Sequence, residues 1–220
     1  MRRQLSLSEY RGIDLTLFAV ILCVAELLIV TAARFWYADQ LYTVSAVAAV
    51  VAIVLMRWGS WAGIHAVLGF SAGGHLAASL GTLWHRQDLG VPANARPDAL
   101  VLCYPVITTG PFAHPESIQH VTGGDPRLME LLSLEKQVRG DMPPCFLWHC
   151  VGDEAVPVEN SLLLASAMQR AAVDYECHLF AGGAHGISMC NREVETPNPE
   201  AAAWVELCKT WLNKKFNYTP

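Results

Sequence analysis

Apolar positions follow two regimes along this chain, and the change comes near Ala66. Upstream, residues 15–33 are nineteen positions with one charge, Glu26, and residues 41–56 are sixteen with none. Neither stretch alternates as a half-buried strand does, and both approach the length that crosses a bilayer. The second is short unless Tyr37 to Leu41 or Trp58 extends it. Downstream the apolar runs shorten and turn residues bound them. Residues 64–68, 99–104, 144–150 and 175–180 have the length and side-chain types of strands, with 99–104 and 144–150 reading as buried ones. Helices are predicted over 72–86, 158–172 and 200–215, the last introduced by Pro197 and Pro199. Strands alternating with helices predict an α/β domain over 67–220, with a mostly parallel sheet and helices on both faces. An apolar helical segment, 1–66, precedes it. Residues 110–143 read as irregular chain between short helices, with Pro111, Pro115, Gly123, Gly124 and Pro126 as punctuation.

Charge sharpens the picture of the first segment. Arg2, Arg3 and Arg11 precede the first apolar stretch, Arg57 follows the second, and the loop between carries only Arg34 and Asp39. By the positive-inside tendency this predicts a membrane hairpin over 15–56 with both ends cytoplasmic. Phe35, Trp36, Tyr37, Tyr42, Trp58 and Trp61 cluster at its ends, as interfacial aromatics do. The alternative is a soluble helical segment that packs on the downstream domain, which Glu26 in mid-stretch favours. Over the whole chain 53% of residues are hydrophobic and 16% charged, a bias that comes mostly from residues 1–66. A net charge of -5, with no basic cluster beyond the N-terminal arginines, excludes a nucleic-acid footprint. Cys23, Cys103, Cys145, Cys150, Cys177, Cys190 and Cys208 form neither a C-x-x-C pair nor a cluster at zinc spacing. Reduced, buried thiols at the cytoplasm or on the cytoplasmic face of a membrane are expected, without a metal.

The candidate chemistry begins at Gly69-Phe70-Ser71-Ala72-Gly73-Gly74-His75. G-x-S-x-G between a strand and a helix is a nucleophile elbow: the sharp turn exposes the serine oxygen and needs small residues where backbones nearly touch. It also aims the Ala72 N–H at a developing oxyanion. Partners follow in the order Ser, Asp, His. Asp153 lies just past the strand at 144–150, in a loop leading to a helix with Pro157 near its first turn. His185 lies after the strand at 175–180, with Gly182, Gly183 and Gly186 around it. A serine hydroxyl is a weak nucleophile until a base takes its proton, and that base needs an acid to fix its tautomer. Glu154 adjoins Asp153 but reads as a solvated charge at a helix N-terminus. His149 and His178 read as ordinary buried or half-buried strand residues, and His75 as a helix-packing residue rather than a second base. His65 has no evident reach to the serine.

Residues 69–78 resemble the elbow of α/β-hydrolase esterases, in particular the acetyl esterase and acetylxylan esterase-like group. Phe146-Leu147-Trp148-His149 with Asp153 and the run 156–161 resemble that group's acid loop and following helix. Residues 180–186 resemble its histidine loop, and Trp204 with Trp211-Leu212 its closing helix. The resemblance covers about 67–215. It implies hydrolysis of short acyl esters, often on acetylated sugars, through Ser71, His185 and Asp153, with no cofactor and a small-molecule ester as the only partner the chemistry needs. Tyr104, leaving a strand on the active-site side, and Val156, in the acid loop, are the expected acyl-pocket residues.

The chain departs from that group upstream. No His-Gly-Gly precedes residue 69 to supply the second oxyanion donor, and Gly12, Gly59 and Gly63 lack that motif's neighbours. The strands that precede the elbow in the group are also missing. Residues 1–66 are instead similar to small multi-helix bacterial membrane proteins of the transporter-subunit type, and the abrupt change at about Ala66 reads as a gene fusion, a recombination junction or a chimeric join. The expected fold is therefore a partial α/β-hydrolase sheet of four strands behind an apolar helical hairpin. The uncovered edge of its elbow strand is an aggregation hazard. Either residues 1–66 cover it, or a second copy of the chain does, as a homodimer, or the fold is marginally stable.

Overall fold

A computed structural model describes residues 66–91, 94–191 and 197–216. The expected hairpin over 15–56, and most of the segment 1–66 with His65, lie outside the described residues. No helix among the described residues is long and apolar enough to cross a membrane.

Four parallel strands form one sheet in the order β1-β2-β3-β4: β1 Ala66–Phe70, β2 Ala99–Cys103, β3 Cys145–Cys150 and β4 Tyr175–Phe180. Register runs Phe70↔Cys103, Cys103↔Trp148 and Trp148↔His178, so one row crosses the sheet close to the carboxyl ends of its strands. The connections carry α1 (Ala72–Leu83), α2 (Pro115–Thr122), α3 (Pro126–Leu131) and α4 (Glu159–Arg170), and α5 (Trp204–Phe216) closes the domain. Every residue of β2 and β3 is buried, which explains their unbroken apolar sequence.

Alternate strand residues feed two cores. Val101, Cys103, Phe146 and Trp148 pack with Trp204, Cys208, Trp211 and Leu212 of α5. Leu100, Leu102, Cys145 and Leu147 pack with Ala77, Ala78 and Leu83 of α1 and with Leu164 and Met168 of α4. This two-faced burial is the layered α/β arrangement that the sequence pattern predicts.

The differences are local. Residues 64 and 65 of the expected first strand lie outside the described residues; β1 is described from Ala66 and continues through Gly69 and Phe70, because the ladder to β2 runs to the elbow itself: the Ser71 N–H donates to the Cys103 carbonyl at 3.0 Å. Helix α1 stops at Leu83, where the Arg86 N–H takes the Leu83 carbonyl, rather than at residue 86. Its Leu76 is exposed. The closing helix begins with a short 3-10 turn, Ala201–Ala203, before α5. Among the described residues, β1 pairs with β2 alone.

Candidate active site

Ser71 sits between β1 and α1 with φ 53° and ψ −122°, a conformation that L-residues adopt rarely. Three backbone bonds hold it there. Its N–H continues the ladder to Cys103, while its carbonyl accepts from the N–H groups of His75 at 3.2 Å and Val106 at 3.1 Å. Gly69 is obligatory, because a Cβ there would sit inside the Gly73 carbonyl. Ala72 is the first residue of α1, so its N–H has no acceptor within the helix and points out of the helix start.

Asp153 follows β3 and is buried, with 5% of its surface exposed. Its Oδ1 accepts from the backbone N–H of Ala155 at 3.1 Å and Val156 at 2.9 Å. Its Oδ2 faces two imidazoles, His185 Nδ1 at 2.6 Å and His149 Nε2 at 3.2 Å. Burial alone would raise the Asp153 carboxyl. The hydrogen bonds from His149, His185 and the Val156 N–H outweigh it and hold the group well below the usual carboxylate range. The neighbouring Glu154 is exposed.

His185, half-buried, completes the line: its Nε2 lies 2.7 Å from Ser71 Oγ. The structure thus brings Ser71, His185 and Asp153 together from the ends of β1, β4 and β3. Gly183 with φ +83° turns the chain after β4, and a Cβ at that position would collide with the Cys150 side chain. Beyond His185 the loop is anchored at Ser188. The Ser188 N–H donates to the Tyr104 hydroxyl at 3.0 Å, and its carbonyl accepts from Trp204 Nε1 at 3.1 Å. Trp204 in turn stacks on Trp148, with centroids 5.3 Å apart and an 18° interplanar angle.

The expected acyl-pocket residues are placed differently. Tyr104 is 4% exposed, takes φ 37°, and stands edge-on to the His185 ring at 5.1 Å. Its hydroxyl is committed to Ser188, and burial pushes the phenol above its ordinary range. Tyr104 therefore buttresses the histidine loop. Val156 is 1% exposed and packs its side chain on Val106 and Ile118, while its N–H and carbonyl serve Asp153 and His149. Both side chains are packed inward, and each residue's polar atoms hold a loop.

His75 is buried, with Nε2 on the Leu132 carbonyl at 2.9 Å, and desolvation lowers its basicity. His178 pairs with Glu176 on β4 at 2.8 Å. Among the described residues, no group of three or more His, Cys, Asp or Glu side chains is arranged to hold a metal ion.

Sequence reasoning missed four supporting residues. His149, in β3, presents Nδ1 to Ser161 Oγ at 2.7 Å and Nε2 to Asp153 and the Val156 carbonyl. Strand parity was the available signal: residue 149 shares its face with Leu147, the face that α4 covers and from which Ser161 projects. Asn160 accepts the Ile107 and Thr108 N–H groups and donates to the Phe112 and Pro157 carbonyls, joining the acid loop to the chain after β2. Ser188 and Trp204 carried no local signal for their contacts.

A parallel sheet with a strained serine at a strand–helix turn, and an acid and a histidine at later strand ends, defines an α/β hydrolase. Within that class the chain belongs to the prolyl oligopeptidase family, whose model matches residues 63–217. It is similar to endo-1,4-beta-xylanase B of Butyrivibrio fibrisolvens, 40% identical over 135 residues that make up 58% of this chain and 21% of that protein. It is also similar to an acetylxylan esterase of Xylanibacter ruminicola, 32% identical over 127 residues, 54% of this chain and 25% of the relative. Among solved structures, an acetyl ester-xyloside bifunctional hydrolase from Caldicellulosiruptor lactoaceticus matches with TM-score 0.59 and 40% identity, over 68% of this chain and 56% of that one. The chain thus spans a quarter or less of the curated relatives' length.

Proposed function

We propose that this chain is a serine carboxylesterase that hydrolyses short acyl esters of the acetyl type. One observation carries the reading: an unbroken line of short contacts, Ser71 Oγ to His185 Nε2 at 2.7 Å and His185 Nδ1 to Asp153 Oδ2 at 2.6 Å. The relatives named for acetylxylan and acetyl ester hydrolysis support the acetyl preference.

In this reading Ser71 Oγ attacks the ester carbonyl carbon as His185 Nε2 takes its proton. Asp153 keeps the Nδ1–H in place and stabilises the imidazolium. The Ala72 N–H donates to the tetrahedral oxyanion. Collapse breaks the bond to the alcohol oxygen, which leaves with the proton from Nε2. Water, deprotonated by the same nitrogen, then releases the acid and restores Ser71. A second oxyanion donor is not assigned to any described residue, and a missing donor costs about 10²–10³ in kcat.

The test is p-nitrophenyl acetate hydrolysis by the purified chain and by Ser71→Ala prepared identically. Loss of the activity in the variant is expected. Equal rates would overturn the reading in favour of a catalytically inert hydrolase fragment.

A further inference from the structure

We propose that His149, backed by Ser161, is the positioning residue for Asp153: it donates Nε2–H to the same carboxylate oxygen that receives the proton-bearing Nδ1 of His185. The proposal rests on the reading of Ser71, His185 and Asp153 as a working triad.

Geometry fixes the proton on His149. Its Nε2 faces two oxygens that can only accept, Asp153 Oδ2 at 3.2 Å and the Val156 carbonyl at 3.0 Å. An unprotonated Nε2 would set its lone pair against both, so the hydrogen belongs there. Nδ1 is then the acceptor, and Ser161 Oγ, 2.7 Å away, supplies the donor. The ring is fully buried, so no water can replace either contact. Ser161 projects from the first turn of α4 and is itself fully buried, so the imidazole is held from both edges.

This arrangement has a consequence for His185. With Ala155 and Val156 on Oδ1 and two imidazoles on Oδ2, the carboxylate cannot rotate without losing a partner. Because Oδ2 shares its charge with a second donor, it attracts the Nδ1 proton of His185 less strongly than a carboxylate with one imidazole would. His149 thus aims Asp153 and moderates how basic it makes His185. Among the described residues, the thiol of Cys150 and the phenol of Tyr104 also interact with the Asp153 charge. Burial pushes the Cys150 thiol up to about 11 and raises the Tyr104 phenol, so both stay neutral over the working range.

Two variants separate positioning from packing. In His149→Gln the amide nitrogen stands as many bonds from Cβ as Nε2 does and can donate to Asp153. In His149→Asn the amide is one bond shorter: it can meet Ser161 and cannot reach Asp153. Each is compared with wild type by p-nitrophenyl acetate kinetics and by NMR titration of His185 in histidine-labelled protein. For His149→Asn we expect kcat to fall about tenfold, KM to stay nearly constant, and the His185 midpoint to rise by about half a unit. His149→Gln should stay within a few-fold of wild type on every measure. Ser161→Ala, which leaves the imidazole in place, should move the midpoint in the same direction by less, and serves if His149→Asn does not fold. An unmoved His185 midpoint in folded His149→Asn and Ser161→Ala would overturn the proposal, as would equal effects of Asn and Gln. If the wild-type chain and Ser71→Ala were equally inactive, the esterase reading would fall. The NMR comparison would still decide whether His149 governs the Asp153–His185 contact.

Discussion

Asp153→Asn is the sharpest perturbation the site offers, because the structure dictates where the amide must point. Oδ1 receives two backbone N–H groups, from Ala155 and Val156, so the side-chain oxygen of asparagine must stay there. The amide nitrogen is then forced into the Oδ2 position, where it meets the Nδ1 of His185 and the Nε2 of His149. Two donors cannot face a third. His185 would move its proton to Nε2 and donate to Ser71 instead of accepting from it, which removes the general base. Loss of the correct tautomer in a triad costs about four orders of magnitude in kcat. Two hydrogen bonds to a charged acceptor also disappear, each worth about 1.5–3 kcal/mol. Part is recovered when the imidazoles re-pair, leaving a net destabilisation of about 2–4 kcal/mol. The pH dependence carries a sign. A carboxyl held below its ordinary value of 3.8 stabilises the fold above that pH and ceases to do so as pH falls through its folded value. Wild type should therefore lose its advantage over Asp153→Asn as the solution is acidified below about pH 4. The assay is p-nitrophenyl acetate hydrolysis with Ser71→Ala as the floor, together with urea unfolding at neutral and acid pH. A kcat/KM for Asp153→Asn within tenfold of wild type would refute the reasoning.

Tyr104→Phe should remove the acceptor for the Ser188 N–H, costing about 1–2 kcal/mol in urea unfolding and lowering kcat several-fold with little change in KM. Trp204→Ala deletes both the Ser188 anchor and the stack on Trp148, and should cost about 3–5 kcal/mol while leaving His185 more accessible to diethyl pyrocarbonate. The six described cysteines should resist a thiol reagent at pH 8 until the domain unfolds. Five of them are buried, and burial raises the thiols of Cys177 to about 11 and of Cys190 and Cys208 to about 12. Labelling followed by peptide mass spectrometry reads each one.

The parts of this fold legible in the sequence are those where local chemistry leaves few choices. The elbow was readable because Gly69 is demanded by contact with Gly73, four residues on, and such a demand leaves its mark in the residue type itself. Strand β4 was readable to the residue, since Tyr175 to Phe180 is bounded by a turn on one side and glycines on the other. What could not be read depends on contacts distant in the chain. Tyr104 looks like any aromatic at a strand end, and neither its positive φ nor its bond to Ser188, 84 residues later, has a local signature. His149 reads as an ordinary buried histidine because its strand position is visible in sequence, whereas the loop that folds Asp153 back onto it is not. For a similar reason it is not legible in the sequence that the acid loop turns the Val156 side chain toward Val106 and Ile118.

The anchoring of the histidine loop sets an order of events during synthesis. The elbow, β2 and the acid loop are complete once the chain has passed residue 160, yet the imidazole can be fixed only after Ser188 finds Tyr104 and Trp204. Trp204 opens the last helix, so a chain lacking α5 has neither the anchor for the Ser188 carbonyl nor the cover for one face of the sheet. Domains fold as units behind the ribosome. Here that means the line from Ser71 through His185 to Asp153 closes when the closing helix docks.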